Sequence, residues 1–181
     1  SQSLVFVNSN PQISSTSGSM CEGDSLVLEA FGGLDYTWSP STGLNQSNGP
    51  IVVSTTLSSL SYIVTGIDTN GCIGYDTSFV NVFPKPIVTV SSDSICEGES
   101  TQLTAFGALN YTWSPNTSLN TSNGSQVIST PSSSIIYTVI GTTQDNCSDT
   151  AQSMVMVYPL SNVSFSISDT TVGSSIEDWE M

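Results

Sequence analysis

Apolar and polar residues alternate along this chain in short bursts, and no stretch carries the three-to-four-residue period of a helix. In "TSFVNVF" (Thr77–Phe83), Val80 and Val82 fall on one side of an extended strand and Asn81 on the other. Similar bursts lie between clusters of Gly, Pro, Asn and Ser, which predicts strands at "SLVLEA", "DYTWSP", "PIVVST", "SYIVTGI" and "TSFVNVF". A second series follows: "STQLTA", "NYTWSP", "SQVIST", "IIYTVIG" and "SMVMVYP". Asp68–Gly71 and Gln144–Cys147 read as hairpin turns, where Asn-Gly supplies the positive φ that a tight turn needs.

The two series are one series written twice. "LDYTWSPSTGLNQSNG" (Leu34–Gly49) returns as "LNYTWSPNTSLNTSNG" (Leu109–Gly124), and Trp38 and Trp113 lie 75 positions apart (113 − 38). The same offset carries Cys21 to Cys96, Tyr62 to Tyr137, Cys72 to Cys147 and Pro84 to Pro159 without insertion or deletion. Roughly half of the aligned positions are identical, the mark of a module copied in tandem. The predicted organisation is all-β, with two β-sandwich repeats end to end at 11–85 and 86–160. Residues 1–10 read as the last strand of a preceding repeat or a donor strand, because "SLVFVNSNP" overlies "SFVNVFPKP". Residues 161–181 read as the start of a following module or a tail.

Tyr36, Trp38, Tyr111 and Trp113 share one face of the strand that crosses each sandwich, and are expected in the core. Tyr62 and Tyr137 begin a later strand at a position that fits a tyrosine corner. Pro40 and Pro115 end the aromatic strand by removing a backbone donor. The polar loop after each, "STGLNQSNG" or "NTSLNTSNG", is where a duplicated binding surface would lie.

Composition narrows the function. The 181 residues include 15 acidic side chains, one basic side chain (Lys85) and no His, for a net charge of −14. Such a surface offers nothing to neutralise phosphates, which argues against nucleic-acid partners. No apolar run is long enough for a membrane-spanning helix, so no membrane insertion is expected. Only 9% of residues are charged; Ser, Thr and Asn carry the surface, as suits a secreted or cell-surface protein. Catalysis is not expected. His is absent, Ser has no base beside it, and no pair of carboxylates is placed distinctively.

"CEGESTQLTAFGALNYTWSP", the "YIV" or "YTV" strand and the "DTNGC" turn resemble Ig-like or PKD-like repeats of giant surface proteins of Bacteroidota. These include gliding-motility-associated adhesins exported by type IX secretion. The resemblance covers residues 20–159 and implies Ig-like sandwiches, tandem arrays, surface display and adhesive or stalk roles, with no enzymatic activity. The PKD "FGDG" signature is absent after "YTW", which favours the Ig-like variant. The resemblance also brings an O-glycan motif, Asp-Ser/Thr followed by an aliphatic residue, which matches at Ser25, Ser94 and Thr150.

Each repeat holds one Cys before its first core strand and one at its last hairpin. The favoured pairing is within repeats, Cys21–Cys72 and Cys96–Cys147. Ig topology opposes it, because a strand of about 8 residues separates the two ends by roughly 25 Å, beyond disulfide reach. The alternative joins Cys21 to Cys147 across the repeats and leaves Cys72 and Cys96 to units beyond this chain. Free thiols are the third arrangement. If the repeats stack end to end, Glu22, Asp24, Asp145 and Asp149 would converge and could bind Ca²⁺; otherwise no cofactor is expected. "FPKPIV" (Phe83–Val88) joins the repeats with almost no slack and favours a stiff rod.

Together these features favour an extracellular structural or adhesive module of a stalk or filament, with neighbouring repeats or subunits as partners and a surface glycan or protein as target. Two other readings are a carbohydrate-binding module with exposed aromatics, Trp179 among them, and a pilin-like subunit that donates strands.

Overall fold

The computed structural model describes residues 7–161. Fourteen strands divide evenly between the repeats. Repeat 1 holds β1 (Ser14–Ser15), β2 (Gly18–Cys21), β3 (Leu26–Phe31), β4 (Asp35–Ser39), β5 (Ile51–Ser54), β6 (Leu60–Ile67) and β7 (Ile73–Phe83). Repeat 2 holds β8 (Thr89–Val90), β9 (Asp93–Cys96), β10 (Thr101–Phe106), β11 (Asn110–Ser114), β12 (Gln126–Ser129), β13 (Ile135–Thr142) and β14 (Ser148–Tyr158). Each repeat is a sandwich of a three-stranded and a four-stranded sheet, ordered β1-β3-β5 over β2-β7-β6-β4, and β8-β10-β12 over β9-β14-β13-β11.

The alternation in sequence becomes the two faces of each strand. Along β6, Tyr62 and Val64 point inward while Ile63 stays exposed. Leu28, Ala30 and Val52 from the smaller sheet meet Met20, Tyr36, Trp38, Tyr62, Val64 and Val80 from the larger one. Every one of these has its counterpart 75 positions later in the core of repeat 2 (28 to 103, 80 to 155), where Val88 joins them.

Two elements per repeat escaped the pattern. The chain enters each sandwich through a short strand on one sheet, then switches to the other, giving β1 then β2, and β8 then β9. Hydroxyls hold this switch. Thr16 Oγ1 accepts the Glu29 N–H at 2.9 Å on one sheet, and Ser17 Oγ accepts the Phe79 N–H at 2.9 Å on the other. Buried Ser78 donates to the Thr16 carbonyl at 2.6 Å, and Ser153 does the same to Ser91. A polar entry segment with no apolar alternation therefore has ladder positions supplied partly by side chains. The last strand is also longer than its apolar burst. β7 begins at Ile73 and β14 at Ser148, because pairing with β6 and β13 continues to the hairpin turn. Of "SLVFVNSNP", residues 3–6 lie outside the described residues, and Val7–Pro11 is not strand. The tail expected at 161–181 lies outside the description beyond Ser161.

Glycine in an apolar row makes room for the entry segment. Gly66 sits on the inward face of β6, and a Cβ there would strike the Ile13 side chain. Gly141 holds the same position against Val88.

The aromatic core carries its polar atoms to partners. Tyr62 donates its hydroxyl to the Thr42 carbonyl at 2.8 Å and shares a hydrogen bond with buried Ser54 at 3.2 Å. Tyr137 repeats this with Thr117 and Ser129. The partner of Tyr62 lies 20 residues upstream, so the short-range bond of a tyrosine corner is made elsewhere. Tyr36 makes it: its hydroxyl accepts the Gly33 N–H at 2.6 Å and donates to the Gly33 carbonyl at 2.8 Å. Among the described residues no buried side-chain nitrogen or oxygen lacks a partner.

Replacing Tyr62 by Phe leaves the Thr42 carbonyl without its donor and Ser54 without its shared bond. The expected loss is about 1–3 kcal/mol. Hydrogen-exchange mass spectrometry should place it in repeat 1, with protection in repeat 2 unchanged; equal loss in both repeats would contradict this account.

Candidate functional site

The joint between the repeats is built by the direction of one strand. β2 runs parallel to β7, with Gly18 opposite Val80 and Cys21 opposite Phe83. Both strands therefore end at the same edge of repeat 1, where the chain leaves for repeat 2. Glu22 donates its N–H to the Phe83 carbonyl at 2.8 Å and fixes that end. On the far side, the turn between β13 and β14 brings Cys147 to the same place, its Sγ 3.8 Å from the Phe83 carbonyl.

Cys21 and Cys147 form a disulfide across the joint, with Cα atoms 5.6 Å apart. The favoured within-repeat pairing is corrected accordingly. Cys72 precedes β7 and Cys21 lies beside its last residue, so the length of β7 separates them. Ten steps from Ile73 to Phe83 at about 3.3 Å each give roughly 33 Å, far beyond disulfide reach. Cys96 and Cys147 are held apart by β14 in the same way, since Cys96 pairs with Tyr158 at its far end. Cys72 and Cys96 are free thiols, the first half-buried and the second exposed.

One ion pair accompanies the disulfide. Lys85 Nζ lies 2.9 Å from Asp24 Oδ1, both side chains about half open to solvent. At such exposure the pair contributes at most about 1 kcal/mol. Asp149 Oδ2 accepts the Val88 N–H at 3.1 Å and ties the entry segment of repeat 2 to the start of β14. That bond, with smaller contributions from the Thr150 N–H and the charge of Lys85, holds the Asp149 carboxyl below its ordinary value.

The expected calcium cluster does not form. Asp24 is engaged by Lys85 and Asp149 by a backbone N–H, while Glu22 and Asp145 are exposed turn residues. Among the described residues no three Asp, Glu, His or Cys side chains gather as a metal site. Of the four, Asp24 and Asp149 serve the joint, each through a separate partner.

The loops after "YTWSP" are exposed along most of their length, yet they are tethered to the core. Trp38 donates its indole N–H to the Gly49 carbonyl at 3.0 Å, and Trp113 does so to Gly124 at 2.9 Å. Asn45 Oδ1 accepts the Val53 N–H at 2.8 Å, and Asn120 Oδ1 accepts the Ile128 N–H at 2.7 Å. The loop thus closes one side of the sandwich. Trp38 and Trp113 are 2% exposed, and neither can stack on a sugar. Tyr36, Tyr62, Tyr111 and Tyr137 are buried with them. Trp179 lies outside the described residues. Ser25, Ser94 and Thr150 are all exposed, Ser25 just before β3, Ser94 on β9 and Thr150 on β14.

A row of exposed apolar residues on the larger sheet of repeat 1 had escaped the sequence reading, although the same alternation signals it. Ile63, Ile67, Ile73, Tyr75 and Phe79 face outward. Three of the cross-strand pairs set an apolar residue against a hydroxyl: Ile63 opposite Thr77, Tyr75 opposite Thr65, and Phe79 opposite Ser61. The remaining pair sets Ile67 opposite Ile73.

Two further carboxyls are held low. The Ser15 hydroxyl bonds Asp76 at 2.7 Å and lowers its pKa, against the opposing effect of burial. The Thr101 hydroxyl lowers that of Asp93, helped by the Ser94 N–H.

No family model matches the chain, and no curated protein matches it. Solved structures share its fold. A C-terminal 282-residue fragment of intimin, in complex with the intimin-binding domain of the translocated intimin receptor, superposes with a TM-score of 0.53 at 13% identity, over 84% of this chain and 64% of that one. Titin domains I67–I69 give 0.46 at 11% identity, over 84% of this chain and 67% of that one. DIP-gamma Ig1 and Ig2 give 0.42 at 12% identity, over 83% and 98%. At 13% identity the likeness to the intimin fragment is one of fold alone, and the chain itself is two tandem Ig-like β-sandwiches.

A lowered folded pKa contributes stability above the unfolded value, and that contribution is lost as pH falls through the folded value. For Asp149 the window lies below about pH 4. Asp149→Asn should melt lower than the parent at neutral pH, and the gap should narrow as pH falls below about 4. A gap that stays constant across a melting series from pH 7 to pH 2.5 would show that the Val88 tether does not depend on charge.

Proposed function

We propose that this chain is an extracellular spacer, part of an adhesive surface stalk or filament, in which two Ig-like repeats are held in line to carry tension. The observation that carries this reading is the Cys21–Cys147 disulfide. A bond inside one sandwich would protect that sandwich. A bond across the joint bears on the relation between the two, and a spacer depends on that relation.

Its position also sets the path of force. Pulled at its ends, the chain takes load through β2 to Cys21, across the disulfide to Cys147, and out along β14. Strands β3 to β13 lie inside the closed loop, with the two cysteines 126 positions apart. Those residues cannot extend while the bond is intact. At about 3.6 Å per residue, roughly 450 Å of contour is withheld. Such a module resists lengthening even when its folds open.

Other features support the same reading. Hydroxyls and amides in place of charge keep an acidic surface hydrated, and the Pro-flanked "FPKPIV" leaves little slack between repeats. Disulfides persist in oxidising compartments, in keeping with export. The sequence resemblance extends the reading to Bacteroidota surface adhesins and type IX export, with glycans on Ser25, Ser94 and Thr150. A protein or glycan target would be met by the outer faces of the repeats. The sugar-stacking alternative loses its main support with both core tryptophans buried. Strand donation is less favoured, because each sandwich draws its seven strands from its own segment.

Single-molecule pulling from the two termini tests the load path. The oxidised chain should extend to about a third of the contour that the Cys21→Ser/Cys147→Ser variant reaches. Adding a reductant to the parent should release about 450 Å. Equal extension of parent and variant would overturn the reading.

A further inference from the structure

The joint is assembled from two half-sites, and the chain carries each of them twice. The base half is the turn after β2. There the Asp24 N–H closes on the Cys21 carbonyl at 3.0 Å, Gly23 takes a φ of 82°, and the Glu22 N–H bonds the Phe83 carbonyl at 2.8 Å. The turn after β9 reproduces it. The Glu99 N–H closes on the Cys96 carbonyl at 3.1 Å, Gly98 takes a φ of 89°, and the Glu97 N–H bonds the Tyr158 carbonyl at 2.9 Å.

The top half is the hairpin before the last strand. In repeat 2 the Thr143 N–H bonds the Cys147 carbonyl at 2.8 Å, Asn146 has a φ of 63°, and Thr143 Oγ1 accepts the Cys147 N–H at 3.2 Å. In repeat 1 the Asp68 N–H bonds the Cys72 carbonyl at 3.0 Å, Gly71 has a φ of 78°, and Asp68 Oδ1 accepts the Cys72 N–H at 2.8 Å. One base and one top are already bonded to each other. The other base, Cys96, and the other top, Cys72, hold free thiols. Cys147 is fully covered at the joint and its partner Cys21 half-buried; of the free thiols, Cys72 is half-buried and Cys96 exposed.

We propose that Cys96 and Cys72 are the two halves of a second joint of the same construction. It is closed when another copy of this two-repeat unit adds head to tail, with Cys96 of one copy bonded to Cys72 of the next. The bond needs an oxidant, and a small disulfide such as oxidised glutathione supplies it. The Cys96 thiolate attacks the oxidant and expels one thiol. The Cys72 thiolate of the next copy then displaces the second thiol. One Sγ–Sγ bond forms, one oxidant S–S bond breaks, and two electrons and two protons end on two released thiols.

The pairing is directional because a base fits a top. Two bases would set Glu97 and Glu99 against their own copies. A contact between unlike surfaces repeats head to tail, and makes a filament where the rotation does not close into a ring. The ion pair is not copied, since Leu160 and Glu99 stand 75 positions after Lys85 and Asp24 (160 − 85, 99 − 24). The second joint therefore leans more on its covalent bond. Inside the chain the Phe83–Val88 linker keeps the halves close, and between copies concentration must replace it. A net charge of −14 also opposes approach unless salt screens it.

The test uses the full chain, concentrated in a glutathione redox buffer with about 1 M NaCl, where the Debye length is about 3 Å. Non-reducing gels and peptide mapping read the products. A ladder whose new bonds are Cys72–Cys96, with Cys72→Ser and Cys96→Ser each remaining monomeric, supports the proposal. Dimers of the single variants, through Cys96–Cys96 or Cys72–Cys72 bonds, would overturn it, and so would a parent that stays monomeric. An intact Cys21–Cys147 bond in each variant verifies that its fold is kept. This readout involves only the open ends, so it can fail while the load path within one chain stands.

Discussion

The parallel pairing of β2 with β7 is the constraint on which the joint depends. An antiparallel strand over the same four residues would set Cys21 opposite Val80, about 10 Å short of the exit. The parallel register instead sets Cys21 opposite Phe83, at the exit to the second repeat. The short linker then brings the first edge of repeat 2 against it, and Cys147 lies on that edge. Lys85 falls between Asp24 and Asp149, so the chain's one cation sits where acidic turns from both repeats approach.

β2 can take that position because the entry segment changes sheets. The change breaks the backbone ladder for a residue or two, and the hydroxyls of Thr16, Ser17 and Ser78 make up the missing bonds. A chain rich in Ser and Thr would otherwise be a poor builder of cores. Here the hydroxyls are spent where backbone groups would be left bare, and where Tyr62 and Tyr137 bring a polar end into the interior. The same composition that hydrates the outside therefore also completes the inside. It further sets hydroxyls opposite Ile63, Tyr75 and Phe79 on the outer face of β6 and β7.

The phrase written twice around "YTWSP" is explained at this level. Its aromatic residues fill the two cores, its Pro ends the strand, and its loop returns to accept the indole N–H and the tyrosine hydroxyl. Strand and loop form one hydrogen-bonded piece, so both are copied together. A duplicated fold and a duplicated loop are the same event here.

The sequence by itself determined the strands with apolar alternation, the 75-residue repeat, the aromatic row and the sandwich class. Each depends on spacing along the chain, and spacing is fixed by covalent structure. On the disulfide it favoured pairing within repeats although strand length argued against that, and the structure joins Cys21 to Cys147 instead. Only the tertiary structure decided the sheet switch of the entry segment, the direction of β2, the partner of Cys21 and the dispersal of Glu22, Asp24, Asp145 and Asp149. Those features depend on which distant residues come to lie side by side. Cys21 meets a partner 126 positions away, and it does so because of the orientation of a four-residue strand whose own residues carry no signal of direction.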